Sequence, residues 1–180
     1  MKPTLTGPRV TLRAPVPSDK QDRLALGRDA EIVRMFGGSA QDATPLTLAE
    51  VEIWYANVET EPYGWMIEHE GKCVGSVRLH DFDEGNQSAW YAIGILDRKL
   101  LDRRLGREVT ALVLAYAFQA LDLLRVDLRV LAFNVRAIRS YEGSGFTRQT
   151  INRNAVQVDG EWHDDVIMSM KRKEWDARPT

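Results

Sequence analysis

Two groups of side chains in this sequence have the types and spacing that chemistry needs. Arg103, Arg104 and Arg107 surround Gly106 where a long apolar run begins. Free backbone N–H groups and the positive dipole end of a helix start favour an anion, phosphate above all, and arginines add charge to such a site. An ordinary solvated helix start has the same composition. The second group, His80, Asp81, Asp83 and Glu84, follows a strand-like run and offers proton acceptors. A solvated hairpin turn accounts for it better. Metal chemistry finds no support, because His69-x-x-x-Cys73 with His80 and His163 makes no zinc pattern. Gly71-Lys72 lacks the spacing of a phosphate loop. The lone cysteine, Cys73, lies in a Val-containing run and is expected in the core.

The elements that must position these groups follow from periodicity and turn chemistry. Arg9–Arg13 alternates as a first strand. Ser18 or Asp19 opens a helix toward Leu26, and Asp29 caps another through Ile32, Val33 and Phe36 that ends at Gly37-Gly38. Thr47 and Glu50 have the form of a capping box for a helix to about Val58. Gly64–Glu68 and Cys73–Leu79 form a hairpin around Glu70-Gly71, a polar turn spans Asp81–Asn86, and Ser88–Leu96 is the next strand. From Gly106 to Leu121, Val109, Leu112, Val113, Tyr116, Ala117 and Ala120 recur at helical spacing. Leu114 and Phe118 lie off that stripe, so the helix is expected to be buried on more than one side. Then come a β-rich run ending at Leu131, a helix opened by Asn134 and stopped at Gly145, and strands at Phe146–Ile151 and Val166–Met170 with a turn at Asp159-Gly160. Trp54, Trp65, Trp90 and Trp162 fit either the core or a cleft. This order predicts an α/β fold on a mixed sheet.

Size and charge limit the function classes. The 180 residues fit one domain, 1–180, able to bury its own core. A net charge of −2 and a pI of about 6.0 give no footprint for nucleic acid. One cysteine forms no internal disulfide, and the start of the chain has no signal-like apolar run. No stretch approaches the ~20 apolar residues of a membrane span. A cytoplasmic protein without a membrane partner is expected.

The run Asn134-x-x-Ala137-Ile138-x-x-Tyr141-x-x-x-Gly145-Phe146 resembles the C-terminal motif of GNAT-family N-acetyltransferases. The layout around it resembles the branch containing the ribosomal-protein and polyamine acetyltransferases. The resemblance implies a central mixed, mostly antiparallel twisted sheet with helices on both faces. It also implies acetyl-CoA as co-substrate, no metal, an amine acceptor (a small molecule or a protein N-terminus) and a possible homodimer. In the family the turn before the long helix reads Q/R-x-x-G-x-G/A and holds the CoA pyrophosphate on backbone N–H groups. With Gly106 as the last residue of that pattern, Leu101 takes the Gln/Arg position and Arg104 the first glycine. Asp102 falls where another glycine is common. The cofactor-binding residues carried over are Arg103, Arg104, Leu105, Gly106 and Arg107 in this turn. Ile93, Gly94, Ile95 and Leu96 lie on the strand that parts from its neighbour, and Asn134 and Tyr141 lie on the second helix.

Acetyl transfer from a thioester to an amine needs three things. An ammonium with a pKa near ~10.4 must lose a proton, an oxyanion needs donors, and the leaving thiolate needs an acid. Tyr141, on the motif's tyrosine position, is expected to be that acid, and backbone N–H groups of Ile93–Leu96 the donors. The strand Ser88–Leu96 has no carboxylate, so Asp81 is named as base. The competing expectation is a non-catalytic module of the same fold that binds an acyl-CoA or another small ligand.

Overall fold

A computed structural model describes residues 2–178. Eight strands form one sheet in the order β1-β2-β3-β4-β5-β6-β8-β7. They are β1 (Leu5–Thr6), β2 (Val10–Arg13), β3 (Gly64–His69), β4 (Lys72–Asp83), β5 (Ser88–Ile95), β6 (Arg125–Leu131), β7 (Thr147–Val158) and β8 (Glu161–Lys171). Only β5 and β6 run parallel; every other neighbouring pair is antiparallel. The sheet is therefore mixed and mostly antiparallel, as expected.

Strand alternation sends side chains to two helical layers. Trp65 and Ile67 of β3 join the larger core, which also holds Val109, Val113 and Phe118 of helix α4 (Leu105–Gln119) and Ile138 of α5 (Val135–Gly143). Met66, between them, faces the other way and packs on Tyr55 and Val58 of α3 (Leu48–Thr60). Helix α1 (Asp19–Leu26) joins α3 on that side, while α2 (Ala30–Met35) reaches toward one end of the sheet, and α6 (Arg172–Asp176) closes the chain. Leu114 and Phe118, off the main stripe of α4, are both buried, so that helix is covered on more than one side. Trp65 is core, with its indole N–H donating to the Pro3 carbonyl at 2.8 Å; Trp162 is exposed.

Local signals behave as their chemistry requires. Thr47 and Glu50 form the reciprocal capping box of α3. Glu70-Gly71 and Asp159-Gly160 each place two successive residues at positive φ, the geometry of a tight two-residue hairpin. The polar turn expected over Asp81–Asn86 is shorter in the structure. Strand β4 continues to Asp83 through a bulge, with Asp81 at φ 48°, and pairing resumes at Asp83 with Ser88. The two last strands run past the expected Phe146–Ile151 and Val166–Met170: residues 152–155 are exposed, and pairing with β8 resumes at Val156 after an irregularity rather than following an apolar face.

Candidate active site

The cleft arises where two parallel strands stop pairing. β5 and β6 match only over Ser88–Trp90 against Arg125–Asp127 and then separate. Past that point β5 stays bonded to β4 and β6 to β8, which leaves facing edges open. Leu96 N–H donates to the Val74 carbonyl on the β4 side at 2.8 Å. Alternation along β5 then turns the N–H groups of Ile93 and Ile95 toward the opening. A cleft of about 660 Å³ fills this gap and runs from the start of α4 to the end of α2.

The structure brings most of the sequence-predicted residues to this cleft. Ile93, Ile95, Arg104, Leu105, Gly106, Arg107, Asn134 and Tyr141 all line it. Gly94 and Leu96 do not. A Cβ on Gly94 would lie 3.3 Å from the Phe36 ring, so this glycine is packed beneath α2's last turn. Leu96 lines a smaller hollow beside Arg28 and Asp29. The Arg103 carbonyl accepts from the Arg9 guanidinium, outside the cleft. Asp81 is also outside it: its side chain is 78 % exposed and accepts a hydrogen bond from His80 Nδ1 at 2.9 Å. Asp81 is not among the lining residues, because its bulge lies at the end of the β4–β5 ladder away from Ile93 and Ile95.

The start of α4 departs from glycine in sequence and keeps glycine's conformation in backbone. Asp102 and Arg104, which occupy glycine positions of the pyrophosphate pattern, have φ of 61° and 62°. Arg104, as N-cap, makes no side-chain capping bond, and neither Leu105 nor Gly106 donates to a backbone carbonyl. Among the described residues the turn thus presents free N–H groups and an unpaired guanidinium at the positive end of a helix. A left-handed L-residue costs about 1–2 kcal/mol, partly offset by the entropy a glycine adds to the unfolded chain. Arg104→Gly should therefore raise the unfolding free energy by roughly 0.5–1 kcal/mol, readable by denaturant titration. Gly106 itself has room: a Cβ there would meet nothing nearer than Ile95 Cδ1 at 3.8 Å and Ser140 Oγ at 3.9 Å. The protein leaves this space unfilled, and both neighbours line the cleft. Free donors, cationic side chains and an unfilled glycine cradle fit the pyrophosphate of a CoA thioester. Glu108 fixes the turn by accepting from the Arg9 and Val10 backbone N–H groups.

Two more groups complete the cleft. Asn134 caps α5, its Oδ1 accepting from Ala137 N–H at 3.1 Å while Nδ2 donates to the Met35 carbonyl at 3.4 Å. Tyr141 stacks edge-on to Tyr91 and Phe146 with ring centroids 6.4 and 5.9 Å apart. Among the described residues its hydroxyl has no hydrogen-bond partner, and desolvation pushes its pKa up to about 12. The Tyr91 hydroxyl is instead held by Thr110 Oγ1 at 2.9 Å, which separates the two tyrosines by role. Sequence reasoning did not single out Thr110, Arg139 or Asp165, all of which line the cleft. Among the described residues no cluster of three or more His, Cys, Asp or Glu could hold a metal ion, and no helix is long and apolar enough to cross a membrane.

Comparison with known proteins agrees with this geometry. The model of the acetyltransferase (GNAT) domain matches residues 9–147. A Bacillus subtilis (strain 168) protein named "Probable N-acetyltransferase" is 26% identical over 108 residues, covering 60% of each chain. An uncharacterized N-acetyltransferase of the same strain, derived from the SPbeta prophage, is 25% identical over 173 residues, 95% of this chain and 94% of its own. The chain thus spans about 60% of the first relative and nearly all of the second. The spermidine N-acetyltransferase of Vibrio cholerae, solved with CoA and spermine, superposes with a TM-score of 0.76 at 21% identity, over 94% of this chain and 99% of that one. With a family match that runs from β2 to the start of β7 and a fold that agrees throughout, this chain belongs to the GNAT acetyltransferase domain family, a family of acyltransferases.

Proposed function

We propose that this chain transfers the acetyl group of acetyl-CoA to a primary amine, directly and within a ternary complex, in one domain over residues 1–180. The observation that carries the reading is the parted β5–β6 pair, with a cationic helix start at one end and the unpartnered Tyr141 hydroxyl inside. The solved spermidine acetyltransferase with CoA adds support for the co-substrate. A C–N bond forms from the amine to the thioester carbonyl carbon, and the C–S bond breaks as CoA leaves. Leu105 and Gly106 N–H groups with Arg104 and Arg107 hold the pyrophosphate. Ile93 and Ile95 N–H groups donate to the carbonyl oxygen as it gains charge. Tyr141 donates its O–H to the departing sulfur, and the amine's proton leaves through the acceptor end of the cleft to water. Asp81, exposed on its bulge, serves this reaction only if the acceptor reaches across β4. Acetyl-CoA supply and a reduced Cys73 both suit the cytoplasm.

The strained Asp102 and Arg104 turn favours one rival, a module that binds an acyl-CoA or another small ligand without turnover. Calorimetry with acetyl-CoA decides the first step. Micromolar binding is expected, weakened several-fold by Arg104→Gly, which keeps the left-handed turn and removes only the cation. Thiol release with an amine panel decides the second. No binding at millimolar acetyl-CoA would sink the acyl-transfer reading and leave a module for another small ligand, while binding without turnover on any amine or peptide N-terminus would leave the acyl-CoA-binding form of the rival.

A further inference from the structure

Asp165 is a buried carboxylate that the fold does not satisfy. It is 2 % exposed, pairs with Leu131 across β6–β8, and lines the cleft. Among the described residues its Oδ2 accepts no hydrogen bond; Arg129 Nε forms an ion pair with it at 3.3 Å, outside hydrogen-bond geometry. The Arg129 side chain is 64 % exposed and spends most of its surface on solvent. An unmet buried acceptor costs about 1–3 kcal/mol, and more when charged, so its retention calls for a partner. Asp127, two turns of the pleat away on the same face, shows what satisfaction looks like: Ser169 Oγ and Arg125 Nε both donate to it. Burial also raises the Asp165 pKa, with Arg129 pulling weakly the other way.

Its position matches the reaction site. Leu131 lies four residues past Asp127, where β5–β6 pairing ends, and Ile93–Ile95 lie at the same level on the other strand. Val130 and Val166 point into the core beneath α4 and α5, so Asp165 faces the opposite side of the sheet from Tyr141. On that side the end of α2 lies against its strand partner, where a Cβ on Gly37 would meet Val156 at 3.4 Å and Leu131 at 3.7 Å. Met35, Phe36 and Val156 give this end of the cleft apolar walls. We propose that Asp165 anchors the acceptor, binding the protonated nitrogen of a primary ammonium whose alkyl stem lies against α2. This rests on the acyl-transfer reading and narrows its acceptor to a cationic amine on an apolar stem, entering from the face opposite Tyr141.

The test is calorimetry on the full chain with n-butylammonium, n-butanol as neutral control, and acetyl-CoA. In Asp165→Asn, n-butylammonium should bind at least about tenfold more weakly, acetyl-CoA within about twofold of wild type. The variant should melt no lower than wild type, because an underpaired buried charge has gone. Arg129→Ala, which removes the competing cation, should tighten n-butylammonium several-fold and serves if the first variant does not fold. Equal n-butylammonium affinity in wild type and Asp165→Asn overturns the proposal, as does a wild type that prefers butanol or binds neither. A lowered melting temperature with parallel loss of acetyl-CoA makes Asp165 structural. Asp165-dependent n-butylammonium binding without any acetyl-CoA binding would keep the ammonium site and sink the acyl-transfer reading.

Discussion

Tyr141→Phe is expected to lower kcat about a hundredfold while leaving acetyl-CoA affinity within about twofold. Phenylalanine keeps the ring that packs edge-on against Tyr91 and Phe146, so the aromatic cluster and the course of α5 survive. What disappears is one O–H, without a partner among the described residues, on a side chain that lines the cleft. Its pKa of about 12 lies roughly three units above that of an ordinary thiol, so full proton transfer to the sulfur runs uphill. In the proposed reaction the phenol acts on the leaving group first as a hydrogen-bond donor, and the proton is replaced from solvent. The sign of the pH dependence follows. A group held protonated up to about pH 12 gives no falling limb to kcat between about pH 7 and about pH 10. The rising limb there belongs to the amine. A falling limb centred near pH 9 that vanishes in Tyr141→Phe would mean that bound substrate lowers the phenol's pKa. An unchanged kcat would remove Tyr141 from the chemistry altogether.

The parts of this fold that were legible in the sequence are those written in local patterns. The alternation of Trp65, Met66 and Ile67 specifies two faces, and the structure gives each its own core. Thr47 with Glu50, and Asn134, announce helix starts because a short polar side chain can satisfy an orphan N–H only there. Residues 152–155, where the strand runs on past Ile151, had no such signature, since every one of them is exposed. The two-residue β1 was equally silent.

The site divides along the same line. The helix-start turn was visible as residues, but composition does not reveal φ, so the left-handed backbone of Asp102 and Arg104 emerged only in three dimensions. Ile93 and Ile95 separate from Gly94 and Leu96 by strand parity, which needs to be known relative to an edge, and the edge is set by β4 pairing. Asp165 follows His163-Asp164 in a run that reads as a polar strand entry. Its strand partner Leu131 lies against Gly37 at the end of α2, more than a hundred residues away from Asp165 in the chain, and no local pattern encodes that packing.

Gly106→Ala should move stability and binding in opposite directions, and that opposition is what makes it informative. Within the first turn of α4, alanine is the better helix former, so the variant should gain about 0.5 kcal/mol of unfolding free energy. The new methyl meets protein no closer than 3.8 Å, so no repacking offsets the gain. Helical Cβ atoms tilt toward the N-terminus, which here is the direction of the free Leu105 and Gly106 N–H groups. A pyrophosphate seated on those donors has to share the space with the methyl, and acetyl-CoA affinity should fall at least about tenfold. Denaturant titration and calorimetry on the same preparation measure both terms. A loss of stability would point to a glycine required by the fold rather than by a ligand. Stability gained with affinity unchanged would move the pyrophosphate away from this turn, leaving Arg107 and Arg139 along the cleft as the cations to hold it.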